Sequence, residues 1–236
     1  APAQERAAVL MACYEDPEVE GIFDVSGGDL ANEILPWLDF EVISRSDKLF
    51  WGYSDLTALI NAIYAKTGRP SVLYQVRNLA GEFGEMQFQR FRESFFTRTG
   101  ELFEIPCRFL RGKKLGGCVA GGNLRCLLKL AGTPYWPDMR DKVLLLEAMG
   151  GGADRMAAFL SQLGQMGVWD QVRGVILGTF TQMERTGRSP AMEDLVLGCA
   201  RRSSGEALAV VKTEEVGHGG DSRAVIIGQE LICREG

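Results

Sequence analysis

The chain has 236 residues, 46% of them hydrophobic and 24% charged, with a formal net charge of −5. That composition fits a soluble globular chain with one large core or two small ones, and its mild acidity argues against a nucleic-acid partner. No apolar stretch reaches the roughly twenty residues of a membrane span, and a single histidine excludes a multi-histidine metal cluster.

Periodicity predicts a helix over residues 5–14 and a buried strand over 19–25, which ends in Ser26-Gly27-Gly28-Asp29. Asp29 reads as the N-cap of a short helix over 30–35, closed near Pro36. A second short strand is expected over 40–44. The apolar run Leu49-Phe50-Trp51 is the third, and Gly52 turns it into Tyr53-Ser54-Asp55. A helix then runs to Thr67, with Gly68 as its C-cap. Residues 71–75 form a fourth strand. Strands alternating with helices at this spacing predict a mostly parallel sheet covered on both faces.

Residues 81–106 break this rhythm with one helix over 86–96, and read as a linker. Gly121-Gly122-Asn123 then opens a helix over 124–130. Strands over 142–147, 174–180 and 208–212 alternate with helices over 153–166 and 190–201. A glycine-rich loop, 216–222, precedes two final strands over 224–227 and 230–233, joined at Gly228-Gln229. The expected organisation is a first α/β lobe over 1–80, the linker, and a second lobe over 107–236. Cys13, Cys107, Cys118, Cys126, Cys199 and Cys233 form no C-x-x-C pair and read as reduced thiols of a cytoplasmic protein.

The candidate chemistry falls at strand ends, where α/β proteins assemble their sites. Ser54 sits on a sharp strand-to-helix turn, which suits a nucleophile because helix-start amides can hold an oxyanion. The alternative is that Ser54 or Asp55 only caps the helix. His218, between Gly217 and Gly219, is the one imidazole that could activate a serine, unless it is an ordinary surface or core residue. Glu147 ends the run Val143-Leu144-Leu145-Leu146; if buried it needs a partner, and an imidazole N–H is one. If exposed, it merely faces water. Gly27 can bring a backbone N–H to an oxyanion beside that of Asp55. A phosphate-binding reading of Gly27-Gly28 is weak, since neither dinucleotide nor P-loop motif is present. Gly121-Gly122-Asn123 reads as a tight turn with an Asn helix cap. The order Ser, Glu, His is that of α/β-hydrolases, although Leu56 stands where G-x-S-x-G carries its last glycine.

Several motifs recur together. In the first lobe they are Gly21-Ile22-Phe23, Gly27-Gly28-Asp29, Ile34-Leu35-Pro36-Trp37-Leu38-Asp39, Gly52-Tyr53-Ser54-Asp55-Leu56-Thr57-Ala58-Leu59 and Tyr64-Ala65-Lys66-Thr67-Gly68. In the second they are Gly121-Gly122-Asn123-Leu124, Gly132-Thr133-Pro134-Tyr135, Leu146-Glu147, Gly217-His218-Gly219 and Ile226-Ile227-Gly228. With these the chain resembles the LD-carboxypeptidase family of serine peptidases, which includes muramoyltetrapeptide carboxypeptidases and the microcin C self-immunity protein.

The resemblance implies an N-terminal parallel α/β lobe of Rossmann or flavodoxin type and a C-terminal mixed α/β lobe, with the site between them, usually in a homodimer. It implies Ser54 as nucleophile, His218 as general base and then acid, Glu147 as orienting carboxylate, and the amides of Gly27 and Asp55 as oxyanion hole. Gly28 and Arg77 are candidate substrate contacts. Arg77 and the basic stretch Arg108 to Lys114 could anchor a terminal carboxylate or phosphate, or be plain surface charge. No metal or organic cofactor is implied. The implied reaction is hydrolysis of an L,D peptide bond, releasing the terminal D-alanine of a murein tetrapeptide in cell-wall recycling. Hydrolysis of a microcin C-like peptidyl or aminoacyl nucleotide is a second reading, and a non-catalytic ligand-binding module a third. Members carry a further strand and helix before the place of Ala1 and a longer Trp-containing loop near Pro106-Cys107, so residues are expected to be missing at both places. Tyr74-Gln75-Val76-Arg77-Asn78 stands where many carry His-Gly-Pro, and the stretch Gly219 to Arg223 also departs, as in a divergent subfamily.

Overall fold

A computed structural model describes residues 1–97, 99–187 and 189–234. Arg98 of the expected linker, Arg188, and Glu235 and Gly236 at the end of the expected second lobe lie outside the described residues.

The chain opens with α1 (Ala3–Glu15) and β1 (Gly21–Phe23), then a 3-10 turn over Ala31–Trp37. Next come α2 (Phe40–Arg45), β2 (Leu49–Gly52), a 3-10 turn over Ser54–Leu56, α3 (Thr57–Thr67) and β3 (Ser71–Leu73). A 3-10 turn over Val76–Ala80 and α4 (Gly84–Ser94) lead to β4 (Arg108–Arg111), β5 (Lys114–Asn123) and α5 (Leu124–Leu128). The remainder is β6 (Val143–Ala148), α6 (Ala153–Gln165), α7 (Val168–Gln171), β7 (Gly174–Phe180), α8 (Thr181–Thr186), α9 (Met192–Cys199), β8 (Ala209–Lys212), β9 (Val225–Ile227) and β10 (Glu230–Arg234).

The strands form two sheets, as an α/β chain of two lobes should. The first has the order β1-β2-β3-β9, with β1, β2 and β3 parallel and β9 antiparallel to β3. The second has the order β10-β5-β6-β7-β8-β4, a parallel centre with an antiparallel strand at each edge. The two final strands, expected as joined neighbours, therefore belong to different sheets. The chain crosses from one to the other at Gly228, whose φ of 89° and closeness to the Tyr64 ring leave no room for a side chain.

Three local readings are corrected. Residues 40–44 are helix rather than strand, because Asp39 caps them by accepting from the Glu41 N–H at 2.9 Å and the Val42 N–H at 3.1 Å. Asp29 does not cap the helix that follows it; that segment is a 3-10 turn whose N-cap is Leu30. Gly121 and Gly122, expected in a tight turn, instead close the strand β5, whose Gly116, Gly117, Gly121 and Gly122 remove the apolar alternation that marks a strand.

Between the sheets lies α3. Its residues Thr57 through Ile63 are all buried, and one apolar cluster joins Leu59 and Ile63 to Val119, Leu145, Ile176 and Val211 of the second sheet. Leu144, Leu146, Val175 and Leu177 face the other way, against Leu160 and Leu163 of α6 and Val196 of α9. The expected linker does more than connect. Phe91, Phe95 and Phe103 cover the far face of the first sheet around Trp51 and Tyr74.

Polar groups complete the seam. The Asn61 amide donates to the carbonyls of Thr57 (2.8 Å) and Gly121 (2.9 Å) and accepts from the Gly121 N–H (2.9 Å), while Thr57 Oγ1 accepts from the Asn123 N–H (3.0 Å). Asn61 thus satisfies a stretch of β5 that β10 no longer reaches. Replacing Asn61 with Leu should lower unfolding stability by about 2–4 kcal/mol, because the backbone of Gly121 is left unpaired in the interior. Urea denaturation would measure it.

Candidate active site

β2 is buried along its whole length and ends at Gly52, where an added Cβ would lie 2.9 Å from the Leu56 side chain and the Phe50 ring. Glycine therefore lets the next turn fold back over the strand end. Ser54 follows in the left-handed region, with φ of 55°, which costs a non-glycine residue about 1–3 kcal/mol. Its side chain caps no helix. Instead Ser54 Oγ lies 3.1 Å from Nε2 of His218, and Nδ1 of His218 lies 2.8 Å from Oε2 of Glu147. Three residues that the sequence separates widely form one line of contacts.

Glu147 is fully buried, at the register position opposite Asn123. Its other oxygen accepts from the Asn123 side-chain N–H at 3.0 Å. Asn123 was legible only as a helix cap, which it also is, through Cys126 N–H. Its second role depends on β5, the strand hidden by glycines. Tyr53, also unflagged by sequence, sets its ring edge-on to His218 with centroids 4.8 Å apart. Burial first, and then the nearby Glu147 carboxylate, hold its phenol well above its ordinary pKa. The hydroxyl therefore keeps its proton, yet it meets no hydrogen-bond partner among the described residues.

Glycines admit the histidine loop. An added Cβ at Gly178 of β7 would stand 2.2 Å from the Val216 carbonyl oxygen, and one at Gly217 would stand 1.7 Å from Thr179 Oγ1. The Thr179 N–H holds the loop by donating to the Val216 carbonyl at 2.8 Å.

The other expected residues fall into two groups. Gly27 and Asp55 share the wall of an apolar cavity of about 590 Å³, beside α1 and β1. The Asp55 carboxylate is buried and accepts from the Ala31 N–H at 2.9 Å and from Lys129 Nζ at 2.5 Å, so it ties the first lobe to the C-terminal end of α5. The Gly28 carbonyl accepts from Arg125, which also pairs with Asp29. Arg77, by contrast, is exposed, and no described contact ties it to Ser54, His218 or Glu147. Arg111 of the basic stretch is committed to structure, donating to the carbonyls of Leu197, Ala200 and Leu208. Among the described residues no group of His, Cys, Asp and Glu gathers as metal ligands, and no helix is long and apolar enough to cross a membrane.

Such a line of hydroxyl, imidazole and buried carboxylate can move a proton off the serine and stabilise the imidazolium that results. Comparison with known proteins bears on its family. Residues 1–74 match the LD-carboxypeptidase N-terminal domain and residues 116–232 the LD-carboxypeptidase C-terminal domain. The chain belongs to the LD-carboxypeptidase family. A probable murein peptide carboxypeptidase of Bacillus subtilis is 30% identical to it over 95% of this chain and 72% of the relative. A putative carboxypeptidase of Vibrio cholerae is 28% identical over 79% of this chain, which spans 65% of that relative's length. The solved structure of the microcin C7 self-immunity protein MccF in complex with aspartyl sulfamoyl adenosine superposes with a TM-score of 0.87. That match covers 99% of this chain and 78% of the other at 23% identity, a likeness of fold.

Within this LD-carboxypeptidase family member, Lys129 supplies the cation that the buried Asp55 carboxylate needs. Lys129→Met leaves the buried Asp55 carboxylate without its cation, and thermal or urea unfolding should show a loss of about 3 kcal/mol.

Proposed function

We propose that this chain is a serine carboxypeptidase that cleaves an L,D peptide bond and releases the terminal D-alanine of a murein tetrapeptide. The observation that carries the reading is the contact line from Ser54 through His218 to Glu147. In this reading His218 removes the Ser54 proton as Oγ attacks the scissile carbonyl carbon. Glu147, holding the Nδ1–H, stabilises the imidazolium and fixes the tautomer. The amides of Gly27 and Asp55 receive the oxyanion of the tetrahedral intermediate. His218 then returns the proton to the amine of the departing D-alanine, leaving an ester on Ser54. Water, deprotonated by the same imidazole, hydrolyses that ester and regenerates the serine.

The murein substrate is supported by the name of the Bacillus relative, and Arg77 and Gly28 are the candidate contacts for the substrate's end. Cell-wall recycling in the cytoplasm by a homodimer belongs to the same proposal, resting on the family resemblance. A second reading, hydrolysis of an aminoacyl or peptidyl nucleotide, is favoured by the fold shared with MccF bound to aspartyl sulfamoyl adenosine.

The test incubates the complete native protein and its Ser54→Ala and His218→Ala variants with murein tetrapeptide, and follows D-alanine and tripeptide by mass spectrometry. Each single variant should lose about 10³-fold or more in rate, and the double variant should be no worse, since the residues act as one unit. Release by Ser54→Ala at the wild-type rate would overturn the nucleophile assignment. Cleavage of an aminoacyl nucleotide with the murein peptide left intact would select the second reading.

A further inference from the structure

His218 is carried by a loop, residues 216–222, that has Gly217, Gly219 and Gly220 in it and no regular structure. Glycine makes such a loop costly to order, yet the imidazole must hold two contacts at 2.8 and 3.1 Å. On one side the loop is held by β7. On the other it meets the end of the first lobe and the segment between the lobes, where two buried amides do the holding.

Gln87 of α4 is fully buried. Its Nε2 donates to the carbonyls of Gly220 (2.9 Å) and Ser222 (2.8 Å), and its Oε1 accepts from the Tyr74 hydroxyl (3.1 Å). Asn78, 4% exposed, donates to the Gly219 carbonyl (3.1 Å) and to Ser222 Oγ (3.2 Å), and its Oδ1 accepts from Gln75 Nε2 (2.8 Å). Each amide nitrogen thus has two acceptors for its two N–H groups, and each carbonyl oxygen has a donor. A buried amide this fully committed is stabilising only while its partners stay in place. The acceptors here are the Gly219, Gly220 and Ser222 carbonyls and the Ser222 hydroxyl, all of the histidine loop.

We propose that Gln87 and Asn78 are positioning residues that hold the His218 imidazole in line between Ser54 and Glu147. The proposal rests on the catalytic reading of His218 given above. Neither side chain bonds to Ser54, Glu147 or the imidazole; Gln87 acts through the carbonyls of residues 220 and 222, and Asn78 through the carbonyl of residue 219 and the Ser222 hydroxyl.

The single histidine of the chain allows a direct test that needs no substrate. In the full chain labelled with ¹⁵N-histidine, nuclear magnetic resonance reads one imidazole. Wild type should show one tautomer with a slowly exchanging Nδ1–H. Gln87→Met keeps the side-chain length and removes the amide; Asn78→Ala is the milder partner should Gln87→Met fail to fold. Both should average the tautomers and speed exchange of that proton. In parallel, kcat on the cleaved peptide should fall about tenfold or more with KM within about twofold, as for a misplaced base. Ile43→Ala, in the core of the first lobe, should lower the melting temperature while leaving the imidazole signal and kcat unchanged. Wild-type imidazole spectra in both variants would overturn the proposal, as would an equal spectral change in Ile43→Ala. A changed imidazole in the two variants, with no peptide cleaved by any form, would uphold the clamp and count against the carboxypeptidase reading instead.

Discussion

The position of α3 between two sheets is the constraint on which the rest depends. Ser54 lies at the start of this helix, on the first lobe, whereas Glu147 and His218 belong to the second. An apolar interface alone would tolerate sliding, because hydrophobic attraction has no preferred direction. The buried hydrogen bonds of Asn61 and Thr57 to Gly121 and Asn123 do have direction. They fix the register of the helix against β5, and Asn123 passes that register on to Glu147 through its side chain.

Burial of charge explains the surrounding architecture. A carboxylate without solvent must be paired and hydrogen-bonded, or it protonates. Glu147 has Asn123 and His218, and Asp55 has Lys129 and the Ala31 amide. Both pairs cross between parts of the chain that are far apart in sequence. Each therefore works as a tie whose loss leaves a buried charge unpaired. Glycine supplies the closeness. At Gly52, Gly121, Gly178 and Gly217 a methyl group would meet backbone or a buried side chain well inside contact distance.

Much of the site was legible in sequence because its residues sit at the ends of strongly apolar strands. Leu49-Phe50-Trp51 announced β2, Val143 to Leu146 announced β6, and a lone histidine in a glycine loop left little choice of imidazole. Asn123, Tyr53, Gln87 and Asn78 were not legible as site residues. Each is an ordinary polar or aromatic residue in its own segment. Their roles come from what lies opposite; the stretch carrying Gln87 reads only as a linker, and Asn78 reads only as part of a loop that departs from the family's His-Gly-Pro. The strand over 40–44 failed for a local reason, since Asp39 supplies a cap that outweighs a weak apolar alternation.

The sequence by itself determined the alternation of strands and helices, the glycines that permit tight approach, and the identity of hydroxyl, imidazole and carboxylate. These are properties of short windows, set by periodicity and side-chain chemistry. Only the tertiary structure decided that β9 returns to the first sheet while β10 edges the second, and that Arg111 is committed to structure while Arg77 stays in solvent. It alone also brought Ser54, His218 and Glu147 within hydrogen-bond reach. Contacts between residues many positions apart depend on how whole faces pack, and no window of sequence carries that information.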